Sequence, residues 1–155
     1  MGAAYFYHLT HRPLEATLPV LLEKALGAGW RVAVRGVDAA RMDWLDQNLW
    51  LGPDDRFLAH GLAGGAHDAD QPILLTTTSG MPNNASCLMT VDGAGLAPDE
   101  VQNLDRVCVL FDGHDPAALD LARGQWKALT TAGCAAQYWS EENGKWEKKA
   151  ETPAP

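Results

Sequence analysis

Apolar positions along the chain recur at two spacings, and their alternation predicts the fold. Residues 3–10, AAYFYHLT, are rich in aromatic and β-forming side chains and predict a first strand. Leu14, Leu18, Leu21, Leu22 and Leu26 then recur at three- and four-residue steps, a helical face. Pro19 falls inside that run. The helix is expected either to start after Thr17 as its cap, with Pro19 in the first turn, or to kink at Pro19. Gly27-Ala28-Gly29 is its stop signal. WRVAVRG, 30–36, predicts a second strand, and Val37 or Asp38 starts a second helix, with Asp38 as a suitable N-cap and Met42, Leu45, Leu49 and Trp50 inward.

Further on, RFLAH (56–60) predicts a short strand and GLAGGAHDAD a polar loop. The runs PILLTT (72–77), 87–91 and RVCVLF (106–111) predict buried strands, with a short helix or turn over 98–105. Asp115-Pro116 opens the strongest helical pattern, as N-cap and first helical residue, and Gly133 ends it. Residues 137–139 are expected to add an edge strand. The charged stretch 141–155 is expected to be a flexible tail following one domain over 1–140. Strands alternating with amphipathic helices predict an α/β three-layer sandwich with a largely parallel central sheet.

Composition narrows the class. In 155 residues, 46% apolar and 21% charged, no apolar run is long enough for a membrane span. The N-terminus MGAAYFYHLTHR does not read as a signal peptide, so a cytoplasmic location is expected. Cys87, Cys108 and Cys134 lack CxxC spacing, which argues against a zinc ribbon or disulfide scaffold, and Cys108 reads as a buried small hydrophobe. The net charge of −8 disfavours direct binding to a nucleic-acid backbone, including single-strand capture by stacked tryptophans. The charge is uneven. Residues 1–105 carry 6 basic and 13 acidic side chains, whereas 106–150 carry 6 of each, so a local positive patch belongs in the second segment.

Candidate chemistry is sparse. The sequence has neither GxxxxGK[ST] nor GxGxxG after the first strand, and neither Ser79 nor Ser86 sits in GxSxG. His60 and His67 with Asp68 and Asp70 have donors suited to a metal, but their spacing matches no common site. A surface loop with one packed histidine is the plainer reading. His8 and His11 end the first strand, where α/β sites form, and with His60 they carry the alternative of a small α/β enzyme acting on an unknown small substrate. Binding signals are stronger. Trp44 and Trp50 lie six apart on one helix, so one is free to pack inward while the other anchors a partner. Arg123 and Lys127 share a face of the last helix, with Trp126 adjoining. Two cations beside an indole suit a peptide carrying carboxylates and a large apolar side chain. A solvated face with an Asp120–Arg123 pair is the competing reading, and Lys145, Lys148 and Lys149 are candidates to widen the patch.

Four segments carry a resemblance to a known family. These are AYFYHL; LDQNLWLGPDDRFLAHGLAG; QPILLTT; and DLARGQWKALTTAG leading into QYW. Their order and spacing resemble the chi subunit of bacterial DNA polymerase III holoenzyme. The resemblance implies a single mononucleotide-binding-like α/β domain without a phosphate loop, no cofactor and no catalysis. It implies a replisome subunit at the nucleoid that links the clamp loader to single-stranded DNA-binding protein, with DNA contacted indirectly. The acidic C-terminal tail of that protein would dock at Arg123, Trp126 and Lys127. The psi subunit, or another clamp-loader adaptor, would dock at Trp50 and Phe57. Two departures stand out: the loop after His60 is acidic, HDAD, where some relatives have basic residues, and Leu119 stands where relatives place a lysine.

Overall fold

The computed structural model describes residues 2–51, 58–141 and 145–153. In chain order the elements are β1 (Ala3–Leu9), α1 (Leu14–Gly27), β2 (Val32–Arg35), α2 (Ala39–Trp50), β3 (His60–Leu62), β4 (Ile73–Thr76) and β5 (Cys87–Thr90). They continue with α3 (Pro98–Asn103), β6 (Arg106–Asp112), α4 (Pro116–Thr131), β7 (Ala135–Glu141) and β8 (Trp146–Thr152). One sheet runs in the order β3-β4-β2-β5-β6-β1-β7-β8. Neighbouring pairs are parallel except β7 with β8.

The layers follow from side-chain alternation on the strands. On β1, Ala4 and Phe6 face one way and Leu9, with Tyr7, the other. On β6, Val107, Val109 and Phe111 oppose Cys108 and Leu110 in the same manner. Helices α1 and α2 cover the Leu9 and Leu110 side with Leu18, Leu22, Met42 and Leu45; α3 and α4 cover the Phe6 and Val109 side with Val101, Ala122 and Leu129. The expected α/β sandwich with a largely parallel sheet is what the chain forms. The cysteines Cys87, Cys108 and Cys134 are free and buried, Cys108 in the core as expected.

Capping residues set the helix ends. The Asp38 carboxylate accepts from the Arg41 amide (3.1 Å), and the Asp115 carboxylate from the Ala117 amide (3.0 Å), with Pro116 at the start of α4. Gly133 ends α4 at φ +88°, the left-handed conformation that favours glycine, and the Cys134 amide returns to the Leu129 carbonyl (3.0 Å).

Four details differ from expectation. Helix α1 begins at Leu14, not after Thr17. Extended Pro13 offers its carbonyl to the amides of Ala16 and Thr17 (3.1 Å each), and Pro19 is carried inside the helix. Pro19 leaves the Glu15 carbonyl without its helical donor, while the buried leucines on either side hold the helix in place. The short strand expected at 56–60 instead begins at His60, and residues 56 and 57 lie outside the described part. β7 is not an edge strand, because β8 pairs along it from Ala136↔Thr152 to Glu141↔Trp146. The expected flexible tail is therefore a strand over Trp146–Thr152. Its charges hid it: Lys148–Glu151 and Lys149–Glu147 pair on an exposed edge (3.1 Å each), and Trp146 anchors it edge-on to Tyr7 at 5.3 Å.

Candidate functional site

Helix α4 carries a cationic face bordering an aromatic seam. Its inner stripe is Ala122 and Leu129, with Ala118, Leu119 and Trp126 partly buried beside them. The stripe recurs every three or four residues, which leaves Arg123 and Lys127 on the solvent side. Arg123 is 72% exposed and meets Asp120 at 3.6 Å, so this pair contributes little to stability. Trp126 is held edge-on by Phe6 (centroids 5.3 Å) and by Tyr138 of β7 (6.0 Å). The Tyr138 hydroxyl lies 2.8 Å from His8 Nδ1, and the His8 ring packs on Phe111 at 5.3 Å. Burial raises the Tyr138 phenol pKa, and the nearby Arg123 charge opposes that rise. The helix therefore displays two exposed cations over a seam whose indole is fixed from below. Lys148 and Lys149 are tied to Glu151 and Glu147 on β8 and add little net field.

A second exposed aromatic surface lies on α2. Met42, Leu45 and Leu49 face inward, whereas Trp50 is 52% exposed and Trp44 39%. The expected inward Trp50 is thus corrected: it follows Leu49 by one residue, about 100° around the helix, and clears the core. Its ring lies over buried His60 at 4.1 Å. His60 Nδ1 is 2.6 Å from the Leu58 carbonyl, and Nε2 is 3.0 Å from the Asp46 carbonyl and 3.2 Å from the Asp46 carboxylate. His60 is a packed histidine supporting an exposed indole. Phe57, paired with Trp50 in the sequence reading, lies outside the described residues. Leu51 continues the apolar surface at 81% exposure.

The other histidines are dispersed. His67 is exposed and approaches Asp70 at 3.9 Å, far from the burial of His60. Among the described residues, no three His, Cys, Asp or Glu side chains are grouped to hold a metal. His11 borders a cavity of about 470 Å³ at the C-terminal ends of β1 and β6, where open α/β sheets place ligands. Three of the four carboxylates that line it, all but Glu15, already serve the scaffold. Asp92 pairs with Arg41 (3.0 Å), Asp112 accepts from the His114 amide (2.9 Å) and Asp115 caps α4. The β1–α1 turn, THRP, has no glycine to admit a phosphate.

The family model of the DNA polymerase III chi subunit, HolC, matches residues 1–137. The chain belongs to that family. It is also similar to a Rickettsia prowazekii (strain Madrid E) protein named probable DNA polymerase III subunit chi, at 28% identity over 91 residues. The match covers 59% of this chain and 55% of that relative, so the chain spans about half the length of the curated relative it matches. Membership of the chi family supports an accessory role with DNA polymerase III. No helix among the described residues is long and apolar enough to cross a membrane.

Sequence reasoning found Arg123, Trp126 and Lys127 from helical spacing, and the structure places all three on α4. It missed Tyr138, which packs on Trp126, and placed His8 in a different role, although His8 meets Tyr138 because β1 and β7 are adjacent in the sheet. Alternation along QYW was the available signal, since it marks Tyr138 as opposite in facing to Gln137 and Trp139.

Proposed function

We propose that this chi-family chain is a non-catalytic accessory subunit of DNA polymerase III that links the clamp loader to single-stranded DNA-binding protein. Arg123 and Lys127 attract the acidic C-terminal tail of that protein, and the tail's terminal apolar side chain packs against Trp126. A psi-like clamp-loader adaptor docks on Trp50 and its neighbours around α2, with Phe57 as the second aromatic. DNA is engaged indirectly, no cofactor takes part, and the work is cytoplasmic, at the nucleoid. The observation that carries this reading is the pair of exposed α4 cations beside a half-buried indole fixed by Phe6 and Tyr138. That supplies a charge for carboxylates next to an apolar wall, on a chain otherwise acidic. Two arguments weigh against the small α/β enzyme. His60 is buried with both ring nitrogens facing backbone carbonyls, and three of the four crevice carboxylates serve as cap, turn acceptor or ion-pair partner.

The test is a fluorescence-anisotropy titration of a labelled acidic tail peptide against wild type and Arg123→Ala at low and moderate salt. Affinity on the order of micromolar, about −8 kcal/mol, is expected. It should weaken with salt and fall severalfold or more in the variant. A folded wild type that does not bind the peptide, or an Arg123→Ala protein that binds equally well, refutes the docking site.

A further inference from the structure

On the sheet face opposite α4, helix α1 and the β7–β8 hairpin enclose a cavity of about 300 Å³. Its walls include Tyr7, Arg12, Thr17, Lys24, Trp139 and Trp146. A second cavity of about 200 Å³ continues beneath α1 toward Trp30 and Arg106, and Tyr7, Leu21 and Lys24 line both. Among the described residues, neither lining contains an aspartate or glutamate, although the chain has 20. Three cations border them instead. Buried Glu141 holds Arg12 through its Nε (3.2 Å) and so fixes the guanidinium at the rim. The Lys24 ammonium makes no ion pair or side-chain hydrogen bond among the described residues, and the Lys24 carbonyl accepts from the Ala28 amide (3.1 Å). The Arg106 guanidinium lies over the Tyr5 ring (3.7 Å) and near Trp30 (5.3 Å). Two buried polar atoms of these wall residues, Thr17 Oγ1 and Arg106 Nε, also have no hydrogen-bond partner among the described residues. Buried donors left unpaired are costly, and a bound acceptor would relieve that cost.

We infer that this groove binds a small amphipathic organic anion. A flat apolar body sits against Tyr7, Trp139 and Trp146, and a carboxylate or phosphate group meets Lys24 and Arg12. The volume is that of a small-molecule site, with apolar walls and a few convergent polar groups, and the cations select the sign of the ligand. Strand β8 is what closes it, since Trp146 is brought over Tyr7 by the pairing of β8 with β7. The inference is independent of tail docking, because α4 lies on the other side of the sheet.

The probe is 8-anilinonaphthalene-1-sulfonate, an aromatic anion, titrated into the full chain. Fluorescence gives affinity, and ¹H–¹⁵N spectra report the Trp139 and Trp146 indole signals and the Lys24 amide. Indole-3-acetate and phenyl phosphate serve as competitors that distinguish a carboxylate from a phosphate ligand. Saturable binding is expected, with shifts confined to the groove and displacement by one or both competitors. Lys24→Glu, a surface change, should weaken binding about tenfold, the loss of one charged contact. Val20→Trp, which fills the cavity, should abolish it, and Arg123→Ala should leave it unchanged. Lack of saturable binding overturns the inference, as does equal binding by Lys24→Glu or spectral shifts outside the groove. Displacement by an acidic peptide but by neither small anion also overturns it, since the groove would then serve a macromolecule.

Discussion

Replacing Glu100 with glutamine should destabilise the fold at neutral pH and leave it nearly unaffected in acid. Arg35, the last residue of β2, is 5% exposed. It donates from Nη1 to Glu100 Oε1 (3.0 Å) and from Nη2 to Glu100 Oε2 (2.7 Å). It also donates to the carbonyls of Gly95 (3.1 Å) and Ser79 (3.2 Å). Glu100 accepts from the Ala97 amide as well (3.1 Å), so one carboxylate ties the buried cation to the start of α3. Breaking a fully buried pair costs about 3–5 kcal/mol. The Glu100 side chain is 20% exposed and glutamine keeps one acceptor for Arg35, so about 2 kcal/mol is expected. The hydrogen bond from Arg35 holds the Glu100 pKa below the ordinary carboxylate value, against the opposing effect of its burial. A depressed native pKa contributes stability that is complete above the unfolded value, about 4.3, and disappears as pH falls through the native value. Urea unfolding at pH 7, 5 and 3 reads this directly. Glu100→Gln should shift the midpoint by about 1 M at pH 7, and the gap should close toward pH 3. A variant that unfolds with wild type at pH 7, or a gap that persists undiminished in acid, refutes the clamp.

His60→Ala should lower stability by about 2–4 kcal/mol in the same assay, because the buried ring's packing and its hydrogen bond to a backbone carbonyl are lost and Trp50 loses its support. An unchanged midpoint would remove the packing role. Gly113→Ala places a Cβ against the His8 ring and the Leu9 carbonyl, which should cost about 1–3 kcal/mol and shift the Tyr138 ring signals in NMR spectra. Wild-type stability with unmoved Tyr138 signals would contradict the close approach. Trp126→Ala should weaken tail-peptide binding by about tenfold or more, and Trp126→Tyr should retain most of it, as measured by calorimetry. Equal binding by all three proteins would exclude Trp126 from the pocket.

Local chemistry made much of this molecule readable before its structure. Asp38 and Asp115 are capping residues in sequence and in fact, because an N-cap needs only its own helix. The apolar runs around Val32, Ile73 and Val107 are strands buried on both faces, where unbroken hydrophobicity is the signal. β8 was not legible because WEKKAET is polar along most of its length and becomes a strand only beside β7. Pro19 left two readings open for a related reason, and only the later start after Thr17 is overturned: its local cost falls on one carbonyl, whereas the leucines that keep α1 intact act through the sheet. At the candidate site, the Arg123–Lys127 spacing is a property of one helix and was visible. Tyr138 and His8 lie 130 residues apart and meet through strand pairing, which no local pattern encodes.

Tail capture by α4 is tested by co-elution with single-stranded DNA-binding protein on a saturating oligothymidylate strand. Intact binding protein and a form lacking its C-terminal tail would be compared, each with wild type and with the double variant Arg123→Glu, Lys127→Glu. Wild type should co-elute with the intact complex and not with the tailless one, and the double variant should elute alone from both. Equal retention on the tailless complex, or retention of the charge-reversed variant, would contradict the claim that α4 reads the acidic tail.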